Sequence, residues 1–175
     1  NGLSQTLLKI ASPGVADFYQ GSELWDLRLV DPDNRGQIDF SSRAAALNGI
    51  MSTESASAQR VLGDLVAHWQ DGRIKMHLMW KALSFRRAHP DLFHQAEFVP
   101  LQAAGCHAAN VIAFLRKSER GSVLVAIPRW LSQVRRNNEP FDWCDTRLIL
   151  PAGSALEWTH ILADHIEIGR VPRLE

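Results

Sequence analysis

An acid-rich stretch near the start of the chain contains the residue types that glycoside chemistry needs. Five acids lie within residues 20–40: Glu23, Asp26, Asp31, Asp33 and Asp39. Glycoside hydrolysis uses two carboxylates about 5–10 Å apart, one as nucleophile or base and one as proton donor. The sequence does not determine which of these acids converge, and acids in a surface loop are usually solvated. Two interpretations therefore stay open, a sugar site and a solvated loop.

Metal and nucleophile motifs are weak or missing in the sequence. Asp31, Asp33 and Gly36 imitate the start of a calcium loop, but an EF-hand needs an acid or amide where Arg35 stands and a glutamate where Ser42 stands. The histidines have neither of the two spacings typical of zinc enzymes. The two cysteines, at positions 106 and 144, form no C-x-x-C pair, so we expect reduced thiols. The sequence predicts no cofactor and no metal.

Composition excludes several classes of partner. Lysine plus arginine and aspartate plus glutamate number 19 each, so the net charge is zero. A nucleic-acid-binding domain normally carries a strong positive field, and we expect no nucleic-acid partner. No apolar run approaches the ~20 residues of a membrane span, and no signal peptide opens the chain. We expect a cytoplasmic protein without a membrane partner, and the start at Asn1, without a Met, suggests a piece of a longer protein.

The first half of the chain is predicted to be mainly helical. Apolar residues recur at helical spacing over residues 3–11, and Ser12-Pro13-Gly14 ends that pattern. Residues 15–19 read as a short buried strand. Further helices are predicted over residues 43–51 and 61–69, and from Arg73 to His89. The last of these is apolar almost all round, so we expect it to be packed on several sides.

The second half is predicted to be a β-domain. Short β-prone runs separated by glycine and proline turns follow Phe93. They cover residues 97–101, 110–117, 122–129, 146–150 and 156–162. Strands at such close intervals favour an antiparallel β-sandwich. We therefore predict an α+β chain with a helical part over residues 1–92 and a C-terminal β-sandwich over residues 93–175.

Several segments together resemble maltooligosyltrehalose synthase, a family of α-amylase-type glycoside enzymes. The resemblance is densest over residues 3–40, in Ser12-Pro13-Gly14-Val15, Asp17-Phe18-Tyr19-Gln20-Gly21, Glu23-Leu24-Trp25-Asp26 and Leu29-Val30-Asp31-Pro32-Asp33-Asn34-Arg35. It continues at Asp71-Gly72-Arg73-Ile74-Lys75, His89-Pro90 and Asp145-Thr146-Arg147-Leu148. Two departures from the family pattern are Ala16, where proline is common, and Gly36-Gln37, where Arg-Pro is usual.

The resemblance implies a fold and a reaction. The chain would hold the last strand and nearby helices of a (β/α)8 barrel, followed by the β-domain. The family converts the reducing-end α-1,4 bond of a maltooligosaccharide into the α,α-1,1 bond of a trehalosyl end, an intramolecular transfer in trehalose biosynthesis. Its catalytic aspartates and glutamate lie on earlier barrel strands, so none of the acids here is expected to be catalytic. The expected partners are a maltooligosaccharide and the N-terminal barrel portion.

The resemblance also implies a wall of the sugar pocket, because active sites of such barrels lie at the C-terminal ends of the strands. We expect eight residues to shape it: Tyr19, Gln20, Glu23, Trp25, Asp31, Asp33, Asn34 and Arg35. Tyr19 or Trp25 would stack on a sugar ring. The other interpretation of each residue is loop scaffolding. Alternatives for the whole chain are a non-catalytic carbohydrate-binding or stabilising module, or part of another amylase-family enzyme.

An isolated barrel strand presents a structural problem. Residues 15–19 would have unpaired edges on both sides. We expect this segment to be rearranged, paired with another copy, or held on the helices of the chain.

Overall fold

The computed structural model describes residues 1–27, 36–54, 57–134, 142–154 and 157–162. Its helices are α1 (Gly2–Ala11), α2 (Phe40–Glu54), α3 (Ala58–Ala67), α4 (Arg73–Ala88), α5 (Pro90–His94) and α6 (Leu131–Val134). Its strands are β1 (Glu97–Ala104), β2 (Val111–Ser118), β3 (Gly121–Pro128) and β4 (Arg147–Ile149). Short 3-10 turns lie at Trp69–Asp71 and Ala108–Asn110. The predicted mixture of helices and antiparallel strands is confirmed.

Helix α4 lies at the centre of the helical part. On one side Met76 joins Ile50 of α2 and two apolar residues of α3 in a buried cluster. On another side Met79 and Ala82 pack with Ile10 of α1. The predicted packing of this helix on several sides is confirmed.

The four strands form one antiparallel sheet in the order β3-β2-β1-β4. Strands β2 and β3 make a hairpin that pairs Val111 with Pro128 and Ser118 with Gly121. Strand β1 pairs with β2 at one end and with β4 at the other, where Gln102 faces Ile149 and Ala104 faces Arg147. The β2–β3 pairing extends over eight residue pairs and is the longest in this sheet.

Helices cover one face of the sheet. A buried apolar cluster joins residues of α1, α5, β2 and β3: Ala11, Leu92, Phe93, Phe114, Val123, Val125 and Ile127. Burial of a Phe or Val side chain contributes roughly 1.5–3 kcal/mol relative to exposure, so this cluster is a principal stabilising contact. The cluster contains residues from both predicted parts of the chain, 1–92 and 93–175. The division into two domains at this boundary stays a prediction.

The strand predicted over residues 15–19 is not found, and the barrel remnant stays a prediction. Residues 15–19 are in no strand, and the Val15 side chain is 96% exposed. The segment is instead held by side-chain contacts: Phe18 packs against the cluster of Ile10, Met79 and Ala82, with the Lys9 ammonium 4.6 Å from its ring centroid. Of the three expected outcomes for this segment, the structure shows attachment to the helices. A strand needs neighbours that pair with its backbone, and here none of the described strands offers one.

The predicted sandwich is also corrected in the part of the chain that the structure describes. Those residues contain a single sheet, and residues 157–162, predicted to be a strand, are in none. The alternation over residues 156–162 is typical of a strand, but periodicity does not specify a partner. Since α1 and α5 cover the apolar face, that face needs no second sheet.

A buried arginine connects the sheet to α5. Arg116 of β2 is 3% exposed, and its guanidinium donates to the carbonyl oxygens of Leu92 at 3.2 Å and Phe93 at 2.7 Å. These carbonyls lie near the end of α5, where the helix itself leaves acceptors unpaired. A cation at a helix C-terminus is also favoured by the helix dipole.

Replacing this arginine should destabilise the fold. We expect Arg116→Met to lower the free energy of unfolding by about 2 kcal/mol, because two buried carbonyls lose their charged donor while the volume is nearly kept. The measurement is urea unfolding followed by circular dichroism. Arg120→Met, in the exposed turn between β2 and β3, is the matched control and should change the value by less than about 0.5 kcal/mol. Equal effects of the two variants would contradict this role of Arg116.

Candidate functional site

The segment that carries the first predicted site residues begins with a tight turn. The Ser22 amide and hydroxyl both donate to the Tyr19 carbonyl oxygen, at 3.1 and 2.6 Å. Gly21 has a φ of 86°, a left-handed conformation that glycine adopts without strain. The Tyr19 side chain is 68% exposed and Gln20 is exposed. Tyr19 therefore has a fixed backbone and an accessible ring.

Glu23 forms an ion pair with the side chain of Arg43. Its carboxylate accepts from the Arg43 Nε at 3.2 Å and from the Gly21 amide at 3.3 Å. Arg43, near the start of α2, also donates to the Gly21 carbonyl oxygen at 3.1 Å and to the Asp39 carbonyl oxygen at 3.1 Å. Together these hydrogen bonds attach the turn to α2. This is the loop-scaffolding role that was the other interpretation of Glu23.

Trp25 is anchored by its polar edge and its ring. Its indole Nε1 donates to the Trp69 carbonyl oxygen at 2.7 Å. The Lys75 ammonium lies 5.7 Å from the ring centroid and donates to the Leu24 carbonyl oxygen at 3.3 Å. A side-chain carbon at Gly2 would lie 3.0 Å from the ring. Trp25 thus connects α1, the turn at Trp69–Asp71 and α4, whatever it contributes to a sugar site.

Lys75, which contacts the Trp25 ring, has a shifted pKa. Burial lowers its pKa, and the carboxylates of Asp26 and Glu23 act in the opposite direction. Its contacts with Leu24 and the Trp25 ring support a structural role for the cation.

The other four predicted site residues, Asp31, Asp33, Asn34 and Arg35, lie outside the described residues. Their predicted sugar contacts stay predictions. Of the eight, the structure places Glu23 and Trp25 in structural contacts and leaves Tyr19 and Gln20 exposed on the same turn.

Two further acids, Asp39 and Asp71, are stabilised in their charged form. Hydrogen bonds from the Ser42 hydroxyl and amide hold the pKa of Asp39 well below its usual range. Burial favours protonation of Asp71, but hydrogen bonds from Arg73 outweigh it and lower the pKa. A glycosidase proton donor needs the opposite shift, a raised pKa.

A cluster of buried polar side chains, which was not predicted from the sequence, lies between α2 and α4. His77 and Glu54 have side chains only 3% and 7% exposed, with His77 Nε2 3.6 Å from Glu54 Oε1. Lys81 places its ammonium 2.8 Å from the same oxygen. Burial lowers the pKa of His77, against the opposing effect of Glu54. A lone histidine within an apolar helix was the only sequence signal for it.

Two cysteines and a histidine also converge, although they are distant in sequence. The ligand atoms of Cys106, His107 and Cys144 all lie within 4.8 Å of one another. A hydrogen bond with the Cys106 thiol, together with nearby acids, raises the pKa of Cys144 to about 11. Both cysteines are exposed and no disulfide joins them, but their proximity was not predicted. The adjacent Cys106-His107 pair after Gly105 was the available signal.

Comparison with known proteins gives a consistent relationship. No protein-family model matches the chain. Two strains of Mycobacterium tuberculosis have a protein assigned as a maltooligosyl trehalose synthase that is 35% identical over all 175 residues. The chain is homologous to a C-terminal portion of the maltooligosyltrehalose synthases. It spans about a fifth of the length of these curated relatives, 19%.

Solved synthase structures show the same arrangement. A point mutant of maltooligosyltrehalose synthase from Arthrobacter ramosus matches 97% of this chain and 19% of its own, with a TM-score of 0.67 and 29% identity. A second maltooligosyl trehalose synthase structure covers 96% of the chain and 19% of its own, with a TM-score of 0.65 and 29% identity. The helix-and-sheet fold described above therefore resembles part of these synthases. Across the described residues, none of the helices is long and apolar enough to traverse a bilayer.

Gly72 should be essential to the anchoring of Trp25. Its φ is 81°, and an added side-chain carbon would lie 2.7 Å from the Trp25 backbone nitrogen. We expect Gly72→Ala to lower the free energy of unfolding by about 2–4 kcal/mol, through backbone strain and the forced displacement of the Trp25 segment. Gly63→Ala is the matched control: that position lies within α3 with open space around it, and alanine there should stabilise by about 0.5–1 kcal/mol. Urea unfolding measures both, and a harmless Gly72→Ala would contradict the packing described.

Burial of His77 predicts a pH-dependent stability. Because its pKa is lowered in the folded chain, the unfolded chain binds more protons near and below its ordinary pKa. The contribution of His77 is therefore complete above the unfolded pKa and declines as the pH falls below it. From about pH 7.5 to about pH 5.5 the chain should lose more unfolding free energy than the His77→Gln variant does.

Denaturant unfolding at both pH values tests this expectation. His94→Gln, which alters an exposed histidine at the end of α5, is the control and should follow the unaltered chain. An identical pH dependence for His77→Gln and the unaltered chain would show that His77 is not the group responsible.

Proposed function

We propose that this chain forms the C-terminal part of a maltooligosyltrehalose synthase and provides one wall of its sugar cleft, without the catalytic carboxylates. The enzyme would convert the reducing-end α-1,4 bond of a maltooligosaccharide into an α,α-1,1 trehalosyl bond by intramolecular transfer. The observation that carries the proposal is the 35% identity over all 175 residues to synthases of which the chain spans 19%. The catalytic acids then belong to the remaining four-fifths of the enzyme.

The contacts of three described acids support the proposal that the catalytic carboxylates lie outside this chain. Glycoside transfer needs one ionised carboxylate and one protonated carboxyl group in the same pocket. In the described residues, Glu23 is paired with Arg43, and Asp39 accepts three hydrogen bonds from serines. Glu54 is buried beside Lys81. These acids have structural partners that would have to be lost before they could act on a sugar.

The turn at residues 19–22 supports a role in the cleft. An aromatic ring on a rigid turn offers a flat apolar surface at low entropic cost, which suits the C–H face of a glucose unit. Tyr19 has this form, since its carbonyl is fixed by Ser22 while its ring is exposed. Between the two aromatic residues expected to stack, Tyr19 is therefore preferred over Trp25, whose polar edge is already engaged by Trp69.

A chimera tests the proposal. The matched portion of the Mycobacterium tuberculosis relative is replaced by this chain, and conversion of maltopentaose to its trehalosyl product is measured for the chimera and for the chain alone. We expect turnover by the chimera and none by the chain. Tyr19→Ala in the chimera should raise KM about tenfold, the loss expected for one stacking contact.

Two matched variants separate stacking from general damage. Tyr19→Phe keeps the ring and should keep KM close to that of the chimera. Val15→Ala alters an apolar side chain that is 96% exposed nearby and should have no effect. Turnover by the chain alone, or a folded but inactive chimera, would contradict the assignment as a non-catalytic part. An unchanged KM in Tyr19→Ala would remove Tyr19 from the cleft.

A further inference from the structure

Sheet register brings the two cysteines together. Strand β4 pairs antiparallel with the end of β1, so the residues just before β4 lie beside the residues just after β1. Cys106 and His107 follow β1, while Cys144 precedes β4. Their proximity thus follows from the β1–β4 pairing and does not depend on a chance contact between loops.

Hydrogen bonds between the two loops fix the backbone of this cluster. The Cys106 amide donates to Asp145 Oδ1 at 2.9 Å, and the His107 amide donates to Thr146 Oγ1 at 3.1 Å. The Cys144 amide donates to Asp142 Oδ1 at 2.8 Å. The loops are therefore positioned by their own side chains.

Gly105 permits the close approach of the loops. Its φ is 101°, and a side-chain carbon there would lie 2.6 Å from the Asp145 carbonyl oxygen. Any other residue would force the two loops apart and separate the thiols.

The three side chains have the chemistry and spacing of a zinc site. With Zn–S bonds near 2.3 Å and Zn–N bonds near 2.0 Å, ligand atoms on a tetrahedral ion lie roughly 3.5–4 Å apart. The ligand atoms here lie within 4.8 Å, so small side-chain rotations would close the site. Two thiolates and an imidazole favour Zn²⁺ over Mg²⁺ or Ca²⁺, which prefer oxygen ligands.

The surroundings favour a cation and allow it to enter. Cys106 and Cys144 are exposed, and His107 is half-buried. The carboxylates of Asp142 and Asp145 accept hydrogen bonds from the backbone of the two cysteines and place negative charge next to the thiols. Acids that bond to the residues around a metal commonly orient its ligands.

We propose that Cys106, His107 and Cys144 bind one Zn²⁺ ion, with the fourth coordination position open to water. The ion ties the loop after β1 to the segment that leads into β4. It holds the short edge strand β4, which pairs with β1 over only three residues, on the sheet. This role is independent of the proposed sugar chemistry.

Binding is tested on the whole chain without an affinity tag, reduced and freed of metal. Zn²⁺ is titrated by calorimetry and by competition with a chromophoric chelator, and Co²⁺ is used as a spectroscopic substitute. We expect one equivalent to bind, a thiolate-to-cobalt charge-transfer band, and a rise of several degrees in the thermal midpoint, since a ligand of the folded state stabilises it. Cys106→Ser, Cys144→Ser and His107→Gln should each weaken binding at least tenfold.

Control measurements keep the result decisive. His94→Gln removes an exposed histidine outside the cluster and should leave the affinity unchanged, and circular dichroism establishes that each variant is folded. Binding that survives Cys144→Ser, or no binding by the unaltered chain, would overturn the proposal. So would loss of both free thiols to a Cys106–Cys144 disulfide in a glutathione buffer of cytosolic poise, since a disulfide cannot supply two thiolates.

Discussion

The structure depends on covering one apolar face of the β2–β3 hairpin. A hairpin alone is marginal in water, and its buried residues need a partner surface. Helices α1 and α5 supply that surface through Ala11, Leu92 and Phe93. Arg116 then completes the contact, because its guanidinium satisfies the carbonyls that α5 leaves unpaired beside the sheet. Two helices far apart in sequence are thereby joined to one sheet. Helix α4 is attached to this assembly through α1, which packs against it.

The position of the candidate sugar wall follows from the same arrangement. Arg86 of α4 donates to the carbonyl oxygens of Ile10 and Gly14, which closes the end of α1 and directs the chain that leaves it. Phe18 is then held on α1 and α4, and Trp25 is held by Trp69 and Gly72. The turn at Tyr19 lies between these two anchors. Its exposure therefore results from the packing on either side, which leaves the turn projecting from a rigid frame.

The helices and strands that depend mainly on local sequence were predicted from sequence patterns. The helix from Arg73 was predictable because Gly72 precedes it and Pro90 ends it, and all four strands were predictable from β-prone runs between glycine and proline turns. The strand predicted at residues 15–19 was not found, because an apolar run does not show whether a pairing partner exists. The prediction of a β-sandwich was wrong for a related reason. Periodicity shows that one face of a strand is apolar, but it does not reveal whether a helix or a second sheet covers that face. The proximity of Cys106 and Cys144 required the register of β1 and β4, which no pattern specified.

Three acids among the described residues, Glu23, Asp39 and Asp145, hold backbone in place. Glu23 and Asp39 fix the start of α2, while Asp145 fixes the loop after β1. Each accepts hydrogen bonds from groups close to it, which fixes the geometry of the carboxylate. For Asp39 and Asp145 these hydrogen bonds also lower the pKa. A catalytic proton donor must instead stay protonated in an apolar or like-charged environment, at a cost in stability. The anchoring role of these three acids fits the proposal that the reaction centre is formed by the rest of the synthase, of which the matched portion is about a fifth.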